Sequence, residues 1–426
     1  MKKFQNFLEN QLAPIAAKLG SYKALIAVRD GITLSMPLII IGSVFLILAN
    51  LPIEGYTEWL EGYFNLGTKM GHVVNSTFGI MALIAVFGIA KSMAEQYEVD
   101  GLGSGIIALG AWLVVTPNLI LKDVGEGVPL TYLGSRGLFV AIIIGLLTGL
   151  IYQYFVNKNI VIKLPDTVPP AVSKSFTALI PGFVIITGAF LIELILSQSG
   201  IENVHDILLQ VLGGPLGVLG GTLGGTIVAV LLNSVFWFSG IHGGSITNAV
   251  MDPIWIMNTD VNRLAFQAGN EVPNIITRPF MDVFVYIGGG GATLALVALV
   301  FFLGKSAEAK VIGKVAFVPG LFNINEPAMF GIPIVLNMTL IIPFVLAPVM
   351  NAVVSYFAMS SGLVAKTVGI AVPWTMPPII SGYLATGGRI SGALLQIALI
   401  VLDLAIYYLF FKAIDKTWQK NSLESI

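Results

Sequence analysis

Long apolar runs recur along this chain, and short polar connections separate them. A helix needs about 20 predominantly apolar residues to cross a bilayer. Two further stretches are irregular. The stretch 240–262 is less apolar and is broken by Gly243, Gly244 and Pro253, and 363–388 contains three prolines that exclude one regular helix. The pattern therefore predicts a helical membrane protein. The clear runs cover residues 31–50, 76–96, 102–121, 137–156, 176–198, 215–238, 280–304, 332–358 and 390–412.

The basic residues predict which ends of these runs face the cytoplasm, where Lys and Arg are in excess. They cluster at the two chain ends and near 158–174 and 305–314, whereas 51–70 is mainly acidic and 199–214 has no Lys or Arg. Both termini are then cytoplasmic and the number of crossings is even. The stretch 240–275 must supply one more span, so we predict about ten transmembrane helices plus irregular segments.

Composition supports the same class of protein. Of the 426 residues, 56% are hydrophobic and 11% are charged, whereas soluble domains carry about 25% charged residues. The net charge of −1 gives no bias toward nucleic acid. The absence of cysteine excludes disulfides, thiolate metal sites and a cysteine nucleophile. We expect a multi-pass protein of a cell membrane, with no metal and no cofactor.

The two halves of the chain differ in regularity. Residues 1–198 are mostly regular spans and are predicted to form a scaffold with an oligomer interface. Residues 199–214 have apolar positions at helical spacing and are predicted to form an amphipathic connector at the membrane surface. Residues 215–426 contain many Gly, Pro and Asn residues. Because irregular backbone at membrane depth must be buried in protein or line a cavity, this part is predicted to hold the substrate.

Polar side chains in three irregular stretches define a candidate site. The stretches are "FWFSGIHGGSITNAV" (236–250), "GLFNINEPAMFGIPIVLN" (320–337) and "VPWTMPP" (372–378). An ionisable group inside a membrane segment costs about 3 kcal/mol or more and usually marks a pathway or a site. Aromatic rings with amides and hydroxyls suit a sugar, whose C–H face is apolar. The candidate substrate-binding residues are His242, Asn248, Arg278, Asn323, Asn325, Glu326 and Trp374.

Each candidate also has a structural alternative. Glu326 could cap a short helix, His242 could pack in the core, and Trp374 could anchor the chain at the membrane interface. Arg278 and Asp282 are one helical turn apart and are predicted to pair. Two carboxylates near predicted span ends are expected to be structural: Glu193 and Asp403.

The motifs "GLFNINEPAMFGIPIVLN", "FWFSGIHGG" and "TRPFMDVFVYIGGGGAT" resemble the membrane IIC subunit of a phosphotransferase-system sugar transporter, in the lactose/cellobiose/diacetylchitobiose family. The resemblance covers essentially the whole chain, and the N-E-P-x-x-F-G pattern at 325–331 is its most specific part. It implies an all-α homodimer with ten membrane helices and re-entrant hairpins per protomer. It also implies an N-terminal interface domain and a C-terminal sugar-binding domain.

The resemblance further implies roles for individual residues. The family's sugar-binding glutamate falls on Glu326 and its histidine on His242, which become the catalytic candidates. Its amide-rich pocket falls near Asn248 and Asn323, and Trp374 lines the sugar. No IIA or IIB sequence is present in the chain, so the phosphocysteine that phosphorylates the sugar is expected on a separate IIB protein, with IIA upstream, in a bacterial plasma membrane.

We therefore expect a permease for a β-linked disaccharide of the cellobiose or N,N'-diacetylchitobiose type. We expect an elevator-like shift of residues from about 215 onward, and presentation of the sugar 6-hydroxyl to phosphorylated IIB. The alternatives are a proton-coupled sugar symporter that uses Glu326 as its proton site, and a sugar-sensing receptor. The receptor alternative predicts an attached signalling domain, which the sequence does not contain.

Overall fold

The computed structural model describes residues 13–424 except 52, 54, 122–124, 166, 200–202, 333, 336 and 338. Residues 1–12, the start of the predicted scaffold, lie outside the described residues. The described chain is mainly helical, with one short antiparallel ladder between Leu119–Leu121 and Gly125–Gly127.

Twenty-one α-helices, two strands, two 3₁₀ turns and two π-helical segments are described. The α-helices are α1 Ala13–Gly20, α2 Lys23–Thr33, α3 Met36–Ala49, α4 Tyr56–Gly62, α5 Leu66–Thr77, α6 Met81–Glu95, α7 Gly101–Val115, α8 Leu130–Leu133, α9 Leu138–Asn157, α10 Pro170–Thr177, α11 Leu179–Gln198, α12 Val204–Leu208, α13 Gly214–Gly221, α14 Leu223–Phe238, α15 Gly243–Gln267, α16 Leu294–Leu303, α17 Ala307–Leu321, α18 Glu326–Gly331, α19 Ile341–Ser360, α20 Ile380–Ala385 and α21 Ile390–Glu424. The strands are β1 Leu119–Leu121 and β2 Gly125–Gly127, the 3₁₀ turns are Phe78–Ile80 and Ser135–Gly137, and the π-helical segments are Leu209–Gly213 and Phe280–Val285.

Seven helical stretches of the described chain are long and apolar enough to cross a membrane. Three shorter apolar helices, α7, α14 and α16, accompany them. A multi-pass membrane protein is therefore confirmed, whereas the count of ten spans, the re-entrant hairpins, the homodimer and the side on which each terminus lies stay predictions. The seven stretches are Lys23–Ala49, Leu66–Glu95, Ser135–Asn157, Pro170–Gln198, Val204–Gly221, Ile341–Ser360 and Ile390–Lys420.

Several predicted span boundaries need correction. The run 102–121 is helical only to Val115, because Pro117 follows and the chain continues into β1. The run 215–238 is interrupted at Thr222. This residue is the N-cap of α14, and its hydroxyl accepts from the Gly225 N–H. The less apolar stretch 240–275 contains one 25-residue helix, α15, despite its internal proline.

The described residues form two compact units. The first contains residues 21–45 and 69–217, and α6 packs there against α2, α7 and α9. Small residues allow these helices to approach closely: a Cβ on Gly88 would lie 2.8 Å from the Gly31 carbonyl oxygen, and one on Gly145 would lie 2.8 Å from Ile89 Cβ. The first unit is thus a set of regular, closely packed helices.

The second unit contains residues 13–20, 46–68 and 218–424. Its core includes Trp237, Phe344 and Tyr407 and is built largely from α16 to α19 and α21. Between these helices the chain is irregular at 286–293, 322–325 and 361–379. The prolines of 363–388 predicted the last of these, whereas the first interrupts the run 280–304, which was predicted to be one span. The roles assigned to residues 1–198, 199–214 and 215–426 stay predictions.

One expectation about the second unit is wrong. Asp403 lies within α21, well away from both helix ends, and is only 1% exposed. The helix extends beyond the apolar run 390–412 and ends at Glu424, so its length could not be read from hydrophobicity.

Candidate functional site

A cavity of about 270 Å³ lies within the second unit, where the irregular segments meet. This volume is near the lower end of small-molecule sites, about 300 Å³. All seven candidate residues line it, although they come from four separate stretches of sequence: His242, Asn248, Arg278, Asn323, Asn325, Glu326 and Trp374.

His242 is held at the start of α15. A turn with Gly240 in the left-handed region (φ 81°) follows α14 and allows His242 to cap the next helix. The Ser245 N–H donates to His242 Nδ1 at 3.1 Å, and the Trp237 ring lies 4.3 Å from the imidazole between centroids. His242 is exposed, which argues against the alternative of a packed core histidine.

Arg278 lies at the centre of a charged group. Its guanidinium bonds Asp282 at 2.8 Å, as predicted, and it also pairs with Asp252 on α15. With its carboxamide oxygen turned toward the guanidinium, Asn248 accepts from Arg278 at 3.2 and 3.3 Å. Asp252 was missed by the sequence analysis, although it lies one helical turn after Asn248 on the same helix face. Much of the donor capacity of Arg278 is therefore used within the protein.

Two asparagine side chains bond three irregular segments together. Asn323, at φ 59°, accepts from the Gly288 N–H at 2.6 Å and donates to the Trp374 carbonyl oxygen. Asn325 donates to the Gly290 carbonyl oxygen at 3.0 Å. Both side chains are at least 90% buried. Their amides thus join the glycine turn (Gly288–Gly291) and the tryptophan loop (373–378) to the loop that precedes Glu326.

The glycine turn approaches these asparagines too closely for any larger residue. Gly289 has φ 89°, and a Cβ there would lie 2.7 Å from Asn325 Cγ. A Cβ on Gly290 would lie 2.7 Å from Trp237 Nε1. The four glycines therefore let this turn pack against both the asparagine loop and an aromatic wall of the cavity.

Glu326 differs from the other charged residues of the site. It is the first residue of α18 and is exposed to the cavity. Within the described residues, its carboxylate makes no hydrogen bond and no ion pair. A carboxylate that capped its own helix would accept from backbone N–H groups, so the capping alternative is not supported.

The cavity surface combines aromatic and hydrogen-bonding groups. Trp237, Trp255 and Trp374 line it, and Trp374 is 49% exposed. Around it lie the carboxylates of Asp282 and Glu326 and the single guanidinium of Arg278. Such a surface can cover the apolar face of a neutral polyhydroxylated molecule and satisfy its hydroxyls.

Comparison with known proteins decides the family. Residues 29–348 match the family described as "Phosphotransferase system, EIIC". The chain belongs to the EIIC family of phosphotransferase systems. It is 49% identical to a cellobiose-specific EIIC component of Geobacillus stearothermophilus over 98% of this chain and 95% of that protein. It is 48% identical to a lichenan permease IIC component of Bacillus subtilis (strain 168) over 100% of this chain and 97% of that protein.

A solved EIIC structure agrees with the fold. The crystal structure of the transporter ChbC, the IIC component from the N,N'-diacetylchitobiose-specific phosphotransferase system, is 45% identical. It superposes with a TM-score of 0.92 and covers 98% of this chain and 99% of that one. As an EIIC component, this chain is a membrane permease of a sugar phosphotransferase system, and the family implies a sugar substrate and a IIB partner.

We predict that Asn323→Gly weakens both stability and sugar binding. Glycine accepts the left-handed backbone, so the substitution removes only the amide bonds to Gly288 and the tryptophan loop. Leaving buried backbone groups unpaired costs about 1–3 kcal/mol, measurable as a lower midpoint of thermal unfolding. The matched control is Asn65→Gly, an exposed asparagine at φ 52°. Equal behaviour of the two variants would contradict the anchoring role of Asn323.

Proposed function

We propose that this permease binds a β-linked disaccharide of the cellobiose or N,N'-diacetylchitobiose type and presents its 6-hydroxyl to phosphorylated IIB. The observation that carries the proposal is Glu326, a carboxylate that has no hydrogen bond or ion pair among the described residues and faces a cavity with aromatic walls. The relatives named for cellobiose and N,N'-diacetylchitobiose support the substrate class.

In the proposed complex, the exposed Trp374 covers an apolar face of the sugar, and the largely buried Trp237 forms part of the cavity wall. His242 supplies a donor, because an Nδ1 that accepts from Ser245 leaves the proton of the neutral ring on Nε2. Asn323 and Asn325 act mainly by holding the loop in place, since their amides already bond backbone groups. Arg278 and Asn248 form one side of the cavity and contact the sugar through their remaining hydrogen-bonding capacity.

Glu326 is the proposed acceptor for the 6-hydroxyl. The sugar oxygen attacks the phosphorus of the phosphocysteine on IIB, so an O–P bond forms and the S–P bond breaks. The hydroxyl proton passes to the Glu326 carboxylate as the thiolate leaves. Holding the hydroxyl in line with the donor is the larger contribution, because phosphoryl transfer is catalysed mainly by positioning and electrostatics.

The charges at the site also favour release of the product. Asp282 and Glu326 line the cavity, Asp252 lies behind Arg278, and Arg278 is the one cationic side chain among the described lining residues. This excess of negative charge does not repel a neutral sugar, but it repels the negatively charged sugar phosphate. Phosphorylation therefore converts a ligand that fits the cavity into one that leaves it.

Transport into membrane vesicles tests the function against its alternative. An exposed carboxylate in a sugar cavity also fits a proton-coupled symporter. Vesicles that contain phosphorylated IIB should accumulate sugar phosphate, and vesicles without it should accumulate no free sugar on a pH gradient. Glu326→Gln should insert normally and lose most phosphorylation. Accumulation of free sugar against its gradient, driven by the pH gradient alone, would reject the phosphotransferase proposal in favour of the symporter.

For translocation we propose an elevator-like shift of residues from about 215 onward relative to residues 1–198, which stay fixed in a homodimer. The irregular polar segments of the cavity all belong to the second part of the chain. Residues 204–213 change from α-helix to π-helix, a local irregularity that suits a strap between moving parts.

Crosslinking can test this motion, because the chain contains no native cysteine. Paired cysteines that join the two parts should stop sugar exchange when they are oxidised and restore it when they are reduced. Pairs placed within α6 and α7 of the first unit should leave exchange unchanged in both states. Full exchange in several locked variants would contradict the shift and favour local gates at 240–250 or 320–327.

A further inference from the structure

A buried pair of polar side chains lies outside the sugar cavity, between α19 and α21. Asp403 is 1% exposed and Asn351 is fully buried. Asn351 Nδ2 donates to Asp403 Oδ2 at 3.0 Å and to the Val285 carbonyl oxygen at 3.3 Å. The Oδ1 atoms of both side chains have no hydrogen-bond partner among the described residues. Two orphaned oxygens on directly bonded side chains require a physical explanation, because buried polar groups are almost always satisfied.

No positively charged side chain pairs with Asp403 within the described residues. Asp403 makes no salt bridge there, and α16 contains no titratable residue. The titratable or charged groups on the other elements packed against α21 are Tyr356 on α19, Tyr383 on α20, Asp282 on the π-helical segment, and Glu308, Lys310 and Lys314 on α17.

One of these groups already has a partner. Asp282 is paired with Arg278. At the start of α17, a different carboxylate of α21, that of Asp415, accepts a hydrogen bond from the Ser306 N–H at 3.0 Å. On α21 itself, the nearest titratable group is Tyr407, whose hydroxyl donates to the Gly291 carbonyl oxygen at 2.6 Å. An ionised Asp403 would thus be an isolated charge in a membrane-embedded interior, which such sites avoid by neutralising the group.

One proton satisfies both orphaned oxygens at once. A carboxylic acid and a carboxamide form a closed pair in which the amide N–H donates to one carboxyl oxygen and the acid O–H donates to the amide oxygen. The Asn351–Asp403 bond supplies the first half of this pair. We infer that Asp403 is a proton-binding site, which in the folded protein holds a proton at neutral pH and donates it to Asn351 Oδ1.

This proton also supports the sugar cavity. The second N–H of Asn351 bonds the carbonyl of Val285, just before the glycine turn, and Tyr407 bonds the carbonyl of Gly291 at its end. The Asp403–Asn351 pair fixes the orientation of Asn351 and thereby the segment that leads into this turn. Asp403 is therefore a positioning residue for the turn against which Asn323 and Asn325 pack. The inference does not depend on which sugar is bound.

The expected pH dependence follows from proton linkage. An unfolded aspartate releases its proton near pH 4, whereas folded Asp403 retains it. Above that pH the folded state holds one more proton than the unfolded state, so stability falls as the pH rises. The unfolding equilibrium constant increases tenfold per pH unit until the folded protein loses its own proton.

The test compares thermal unfolding of the full chain in detergent between pH 5 and 9 for the native protein, Asp403→Asn and Asp403→Leu. An amide at 403 can make both bonds of the pair without a titrating proton. We expect Asp403→Asn to keep the stability and sugar affinity of the native protein near pH 6 and to lose the Asp403 part of the pH dependence. Asp403→Leu should lower both properties at every pH, because it leaves the Asn351 amide unpaired.

A matched control is Asp415→Asn on the same helix. Asp415 accepts from the backbone N–H groups of Lys305 and Ser306, from the Ser306 hydroxyl and from Gln419, so it is held as a carboxylate and the amide should be destabilising. The native protein should also show the infrared carbonyl band of a protonated carboxylic acid that Asp403→Asn lacks. The inference is overturned if Asp403→Asn is destabilised or fails to fold, if it keeps the native pH profile, or if that band does not differ between the two proteins.

Discussion

The hydrogen bonds from Asn323 and Asn325 to irregular backbone are the interaction on which the site depends. Inside a membrane, a backbone group that leaves its helix must find another partner or lose several kcal/mol. The two amides satisfy backbone groups of the glycine turn and the tryptophan loop. They thereby place Glu326, the first residue of α18, at the cavity surface without tying up its carboxylate.

Much of this arrangement could be predicted from sequence because its causes are local. Apolar runs indicated most of the membrane helices, and the prolines of 363–388 indicated irregular backbone there. The run 280–304 was expected to be one span, whereas it is broken by the glycine turn. The candidate residues came from polar groups in apolar surroundings, and all seven line one cavity. The Arg278–Asp282 pair followed from helical spacing alone.

The rest depends on contacts between distant parts of the chain. Asn323 and Asn325 were expected to bind sugar, but whether a side chain meets a ligand or a backbone carbonyl is decided by tertiary packing. Asp252 pairs with Arg278 across 26 positions of sequence. Asp403 looked structural near a helix end, whereas its partner Asn351 lies 52 positions away. Periodicity carries no information about such partners.

The central claim is that Glu326 holds the hydroxyl that becomes phosphorylated. Calorimetric titration of the purified permease with the disaccharide and its 6-deoxy analogue, on the native protein and on Glu326→Gln, tests this contact directly. We predict that loss of the 6-hydroxyl weakens binding to the native protein and changes binding to the variant little, with a coupling of about 1.5–3 kcal/mol for a hydrogen bond to a charged group. Equal losses in both proteins would show that Glu326 does not hold the 6-hydroxyl.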